Sequence, residues 1–175
     1  MKSIYFSRFL IAALLLVSFS FTADAQKKPK SPPKSVSQEI GDLKIDINYN
    51  APYVKGRKIW GDLVPTGQVW RTGANSATTF EINKAVSING EQLAAGKYAL
   101  FTIPNGEEWT FIFNKQAEQW GAYKYKEAQD ALRVTAVPSA AAEFTEQMAF
   151  DVDTTGVVSL MWENLQVSFT VGAEK

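Results

Sequence analysis

LKIDINY, residues 43–49, decides the fold: Leu43, Ile45, Ile47 and Tyr49 alternate with Lys44, Asp46 and Asn48. A period of two sends successive side chains to opposite faces, so the stretch predicts a half-buried β-strand. Near the C-terminus Leu165, Val167, Phe169 and Val171 alternate with Gln166, Ser168 and Thr170 in the same way. Phe144, Met148, Phe150 and Val152 predict another strand with one apolar face. Residues 156–162 and 98–103 are apolar on both faces, as central strands covered on both sides are. Turn chemistry separates these runs. Asn89-Gly90 is a hairpin signal, Pro104-Asn105-Gly106 turns the chain before residues 109–114, and Asp153-Thr-Thr-Gly156 and Glu163-Asn164 do so near the end. About nine or ten strands result, spaced as a sandwich or barrel spaces them. Helical spacing shows only in residues 115–130, at Ala117, Trp120 and Tyr123, and Gly121 interrupts it. The sequence therefore predicts an all-β, two-sheet antiparallel β-sandwich, jelly-roll-like, with one long loop (51–77) and one short helical insert (115–130).

Working outward from this core, the N-terminus has the marks of a secretory signal. Lys2 and Arg8 precede an apolar run from Phe9 to Phe21, and Ala23-Asp24-Ala25 supplies a small-x-small cleavage site before Gln26. Residues 1–25 are thus expected to be removed, leaving no membrane span and a periplasmic or secreted protein. Residues 26–38 (QKKPKSPPKSVSQ) are rich in Pro and Lys and poor in apolar groups, which predicts an extended tether. Residues 39–175 form a single domain. Lys and Arg together number 18 and Asp and Glu number 18, so the chain has no electrostatic footprint for nucleic acid.

Two absences bound the chemistry. Without cysteine the exported domain must hold together by packing alone. Without histidine neither a Ser-His-Asp mechanism nor a zinc site of the usual kind can be built from this chain. General acid–base work falls to Asp, Glu, Lys or Tyr. Asp151-Val-Asp153-Thr-Thr-Gly156 starts like a calcium loop, but Trp162 stands at its twelfth position where a bidentate Glu belongs. No metal and no cofactor is predicted.

Function points to residues 55–78, KGRKIWGDLVPTGQVWRTGANSAT. Glycines at 56, 61, 67 and 73 mark backbone in special conformations, and loops on a rigid scaffold are where sites concentrate. Together with Leu93, residues 95–98 (AGKY), residues 113–114 (FN) and residues 120–123 (WGAY), this segment resembles the signature of the domain of unknown function 2911 family. The similarity runs from about residue 37 to residue 171, and WRTGANSAT is its most specific part. It implies an exported bacterial protein and carries over no activity.

Within the loop, Arg57 and Arg71 present rigid donor forks suited to carboxylate, phosphate or sulfate, and Lys55 adds a point charge. Thr72, Asn75 and Thr78 supply neutral hydrogen-bonding groups. Trp60, Trp120 and Tyr123 supply faces that stack on sugar rings or peptide side chains. Each also has a plain architectural reading: the arginines fasten the loop to main-chain oxygens, and the aromatics plug the sandwich ends, as Trp70 and Trp109 are expected to do. The leading expectation is a non-catalytic domain binding a small polar, anionic or saccharide-like ligand through these nine residues. A cell-envelope protein-interaction or scaffold domain is the alternative. A histidine-independent hydrolase is the weaker one, and Asp62, Glu81, Glu107, Glu108 and Glu163 show no spacing that singles out an acid pair.

Overall fold

The alternation of residues 43–49 is realised in the computed structural model, which describes residues 29–173. Ten strands follow in chain order: β1 (Pro33–Ile40), β2 (Leu43–Asn50), β3 (Thr78–Ile82), β4 (Val86–Ile88), β5 (Glu91–Leu93), β6 (Gly96–Ile103), β7 (Trp109–Asn114), β8 (Asp130–Ala136), β9 (Ser139–Val152) and β10 (Val157–Ala173). They build a six-stranded sheet, β1-β2-β3-β6-β7-β8, and a four-stranded sheet, β5-β4-β10-β9, antiparallel throughout. In β2, Leu43, Ile45, Ile47 and Tyr49 are buried and Lys44 and Asn48 are exposed, so the period-two pattern sets the inward face. Between the layers Phe80, Phe111 and Phe113 of the first sheet meet Phe169 of the second edge-to-face, at centroid distances of 5.9, 4.9 and 5.5 Å.

Neighbouring strands are mostly consecutive in sequence. The first sheet is a meander interrupted by one excursion of β4–β5 to the second sheet, which β9 and β10 complete. The turn signals are realised in detail. Asn89 (φ 49) and Gly90 (φ 93) join Ile88 to its partner Glu91. Asp153 Oδ1 accepts from Thr155 N, Thr155 Oγ1 and Val157 N at 2.8, 2.7 and 3.0 Å, so its carboxylate closes a turn. Those bonds hold its pKa below the ordinary carboxylate value, the Thr155 hydroxyl contributing most.

β10 doubles back at the Glu163-Asn164 signal, where Glu163 has φ 59. Val171 N donates to Gly156 O at 2.8 Å, and the Ser159 and Ser168 hydroxyls meet at 2.8 Å. A straight strand would hold those pairs tens of ångströms apart, at about 3.3 Å per residue. The two legs of β10 are thus the two strands that the sequence predicts on either side of that turn.

Three expectations are corrected. Residues 33–38, predicted as tether, belong to β1 and pair residue by residue with β2 from Pro33↔Asn50 to Ile40↔Leu43. The insert 115–130 holds no α-helix; its helical content is one 3-10 turn, Glu127–Gln129. Phe144 is exposed, although Met148, Phe150 and Val152 of the same strand are buried. The predicted signal segment, residues 1–25, lies outside the described residues, as do residues 26–28 of the tether. Among the described residues no helix is long and apolar enough to cross a membrane.

The outer face of the first sheet is also covered over β6 and β7. Ala99, Phe101 and Ile112 are fully buried there beneath Val69, Ala77, Ala122 and Tyr125. The long loop and the insert therefore fold over one end of this sheet, and that end carries the candidate site.

Candidate functional site

The loop closes through a neck. Trp70 and Thr102 exchange backbone hydrogen bonds of 2.7 and 2.9 Å, which extends the line of β3 beside β6. Residues 71–77 swing out from that line and return, with Thr78 N donating to Arg71 O at 3.1 Å. The excursion needs backbone in the left-handed region at Thr72 (φ 54) and Asn75 (φ 58). At Gly73 a Cβ would come 3.0 Å from Asn50 O, so only glycine lets the loop lie this close to β2. The fastening atoms are Trp70 Nε1, which donates to Gly73 O at 3.1 Å, and Thr78 Oγ1, which donates to Thr72 O at 2.7 Å. Thr72 Oγ1 lies 3.2 Å from Thr102 Oγ1. Thr72 and Thr78 are fully buried, so both are architecture and neither faces a ligand.

Beside this loop opens a cleft of about 900 Å³. Tyr53, Lys55, Arg57, Arg71 and Asn75 line it, together with Tyr123 of the insert. The two arginines, alike in sequence, separate here. Arg57 donates from Nε to Val54 O at 3.1 Å and from its terminal nitrogen to Tyr53 O, so it staples its own turn. No described residue makes a hydrogen bond or ion pair with the Arg71 guanidinium, and its Nε is sealed from solvent without a partner. Lys55 rests its Nζ 5.2 Å from the centre of the Tyr53 ring. Four cations, Lys30, Lys55, Arg57 and Arg71, line the cleft, and no carboxylate does so among the described residues. A concave surface of one charge sign concentrates counter-ions of the other.

The insert is tied to the loop by a short antiparallel pairing: Ala77 N donates to Gln119 O at 2.9 Å and Gly121 N to Asn75 O at 3.0 Å. Its far end is anchored by Tyr125, whose hydroxyl donates to Asp130 Oδ2 at 2.7 Å and accepts from Arg133 at 2.6 Å. Burial, reinforced by the bond to Asp130, pushes the Tyr125 phenol up to about 12. Asn114 donates to the other oxygen of Asp130 at 2.7 Å. On this anchored insert Trp120 is 66% and Tyr123 is 86% exposed.

Of the nine predicted site residues, Lys55, Arg57, Arg71, Asn75 and Tyr123 meet in the cleft. Trp120 lines a second hollow, of about 520 Å³. Trp60 is withdrawn from both: it packs edge-to-face on Trp70, Trp109 and Trp162, at 6.1, 5.1 and 5.7 Å between centroids. Trp70 and Trp109 are buried, as their reading as end plugs expects. The sequence reading missed Tyr53, an aromatic two residues before Lys55, and Lys30, which it assigned to the tether. It also missed Trp162, whose strand pattern marks it only as core, although it lines the cleft.

A family model described as "Protein of unknown function (DUF2911)" matches residues 31–171. No curated protein and no solved structure matches the chain.

Proposed function

The chain belongs to the DUF2911 family of proteins of unknown function, and from that premise we propose that it is an exported domain that binds a small anionic, polyhydroxylated ligand without transforming it. The observation that carries this reading is Arg71, which lines a four-cation cleft and whose guanidinium has no described partner. Charge-assisted hydrogen bonds to such a fork are worth about 1.5–3 kcal/mol. Asn75, at the cleft wall, adds an amide for ligand hydroxyls. A hydrolytic reading needs two facing acids, and neither hollow is lined by a pair of carboxylates among the described residues. The scaffold reading has the free edge of β1 as its footing, but Pro33 and Lys34 blunt that edge against strand addition.

The test is thermal melting with galacturonate, glucuronate, citrate, sulfate and phosphate, each in large excess. A ligand at about a hundred times its dissociation constant adds about 2.7 kcal/mol, which raises the melting temperature by several degrees. Arg71→Ala should weaken that ligand by about ten- to a hundredfold. The reading fails if none of the five anions shifts the midpoint, or if Arg71→Ala leaves the shift intact.

A further inference from the structure

The second hollow adjoins the cleft. Asn75 lines the cleft and the next residue, Ser76, lines the hollow. Asn50, which lines the hollow, lies with its Oδ1 3.4 Å from Asn75 Nδ2. The hollow lies on the outer face of the six-stranded sheet, where Asn48 of β2 and Thr79 of β3 are direct cross-strand partners. Trp120 lines its rim, held there by the pairing of residue 120 with Ser76.

The chemistry of the hollow continues that of the cleft. Lys34 and Lys97 extend the cationic lining. Its one carboxylate among the described residues, Glu118, lies 3.8 Å from Lys97 Nζ. Exposed aromatic rings stand in both compartments, Tyr123 in the cleft and Trp120 in the hollow, with amide and hydroxyl side chains between them. Two acceptors among the hollow's residues, Thr79 Oγ1 and Gln119 Oε1, are sealed and have no hydrogen bond. Gln119 is itself 6% exposed, and its Nε2 is already held by Asn114 Oδ1 at 3.2 Å and Gln116 O at 2.7 Å.

A cationic track with flanking aromatic rings and neutral polar groups matches a chain of sugar rings that carries negative substituents. Ring faces stack on Trp120, hydroxyls meet the amides, and the anionic group takes the guanidinium. Nucleic acid offers the same pairing of charge and stacking, but the overall balance of 18 basic and 18 acidic residues lacks the excess that phosphate backbones select. We infer that the ligand is an acidic oligosaccharide, with its anionic residue on Arg71 and an adjoining ring stacked on Trp120. The inference rests on the assignment of the Arg71 cleft to an anion.

The test titrates the full chain with galacturonate, tetragalacturonate, a sulfated tetrasaccharide, cellotetraose and single-stranded oligothymidylate, read by calorimetry and tryptophan fluorescence. At least one acidic tetrasaccharide should bind about tenfold or more tightly than galacturonate, and the two acidic arms distinguish carboxylate from sulfate. Trp120→Ala should erase that gain while leaving galacturonate affinity unchanged, and Trp120→Phe should keep most of it. Arg71→Ala should weaken both monomer and tetramer. Near-ultraviolet circular dichroism of the buried tryptophan cluster reports whether each variant has folded. The inference is overturned if neither acidic tetrasaccharide outbinds galacturonate, if Trp120→Ala leaves the gain in place, or if oligothymidylate binds more tightly than every saccharide. Arg71-dependent galacturonate binding in those cases leaves the anion site standing; its absence, together with failure of the other anions, removes both readings.

Discussion

Replacing Arg71 with methionine tells a binding role from a fastening one. The excursion of residues 71–77 is held by the Trp70–Thr102 pairing, by Trp70 Nε1 on Gly73 O and by Thr78 Oγ1 on Thr72 O. None of these bonds involves the Arg71 side chain. Its Nε is a sealed donor without a partner, and such a group costs about 1–3 kcal/mol. Methionine fills the space of the apolar stem and removes that donor. It also takes one cation away from Lys30, Lys55 and Arg57, which line the same cleft. The ligand-free variant should therefore be as stable as the parent or more so, by up to about 1–3 kcal/mol. In a domain of this size each kcal/mol moves the melting temperature by about 2–4 °C. Calorimetry at low salt should thus show an unchanged or raised midpoint, and the anion-induced shift should vanish. Arg57→Met is the matched control. It loses two bonds to main-chain oxygens, each worth about 0.5–1.5 kcal/mol, and should melt a few degrees lower. A midpoint for Arg71→Met more than about 4 °C below the parent would show that the guanidinium holds the loop, and would refute the reasoning.

Further outcomes follow from particular contacts. At Gly156 (φ +91) a Cβ would lie 2.2 Å from Val171 O, whereas at Gly90 (φ +93) it would meet nothing within 4 Å. Gly156→Ala should cost about 2–4 kcal/mol in urea unfolding and Gly90→Ala about 1; equal losses would show that β10 does not fold back beside Gly156. Tyr125 has its phenol raised from 10.0 to about 12 in the folded chain. Its neutral form is favoured by folding, so its contribution is complete below pH 10 and is lost as pH rises through about 12. Urea midpoints of the parent should fall across that window, and Tyr125→Phe should flatten the fall; an unchanged slope would count against the Tyr125–Asp130–Arg133 anchor. Asp153 has the opposite sign. Its carboxyl is held below the ordinary value of 3.8, so its contribution is present above that pH and is lost as pH falls further. Asp153→Asn should weaken the acid dependence of stability below pH 4, measured by the same titration.

The strands were legible where side-chain period and turn chemistry agreed, as in residues 43–49 and at the Asn89-Gly90 and Glu163-Asn164 turns. Residues 33–38 were misread because their composition cannot bury apolar surface. The strand they join does not need it to: β1 is mostly exposed, and its ladder to β2 rests on backbone hydrogen bonds that any non-proline residue offers. The insert was misread as helical because apolar spacing over so few residues is outweighed by polar anchoring through Asn114, Gln119 and Asp130.

The division between the arginines was invisible in sequence because it depends on how the backbone folds around each side chain. Arg57 follows a tight turn, with Lys55 at φ 48 and Gly56 at φ 66, that leaves the oxygens of Tyr53 and Val54 within its reach. Around Arg71 four consecutive carbonyls hold the loop together. Trp70 O accepts from Thr102 N, Arg71 O from Thr78 N, Thr72 O from the Thr78 hydroxyl and Gly73 O from the Trp70 indole. The loop that positions Arg71 thus closes on main-chain and Thr78 and Trp70 bonds, none of which uses its guanidinium. No described residue takes that guanidinium, so the same residue type staples at 57 and stands unpartnered at 71.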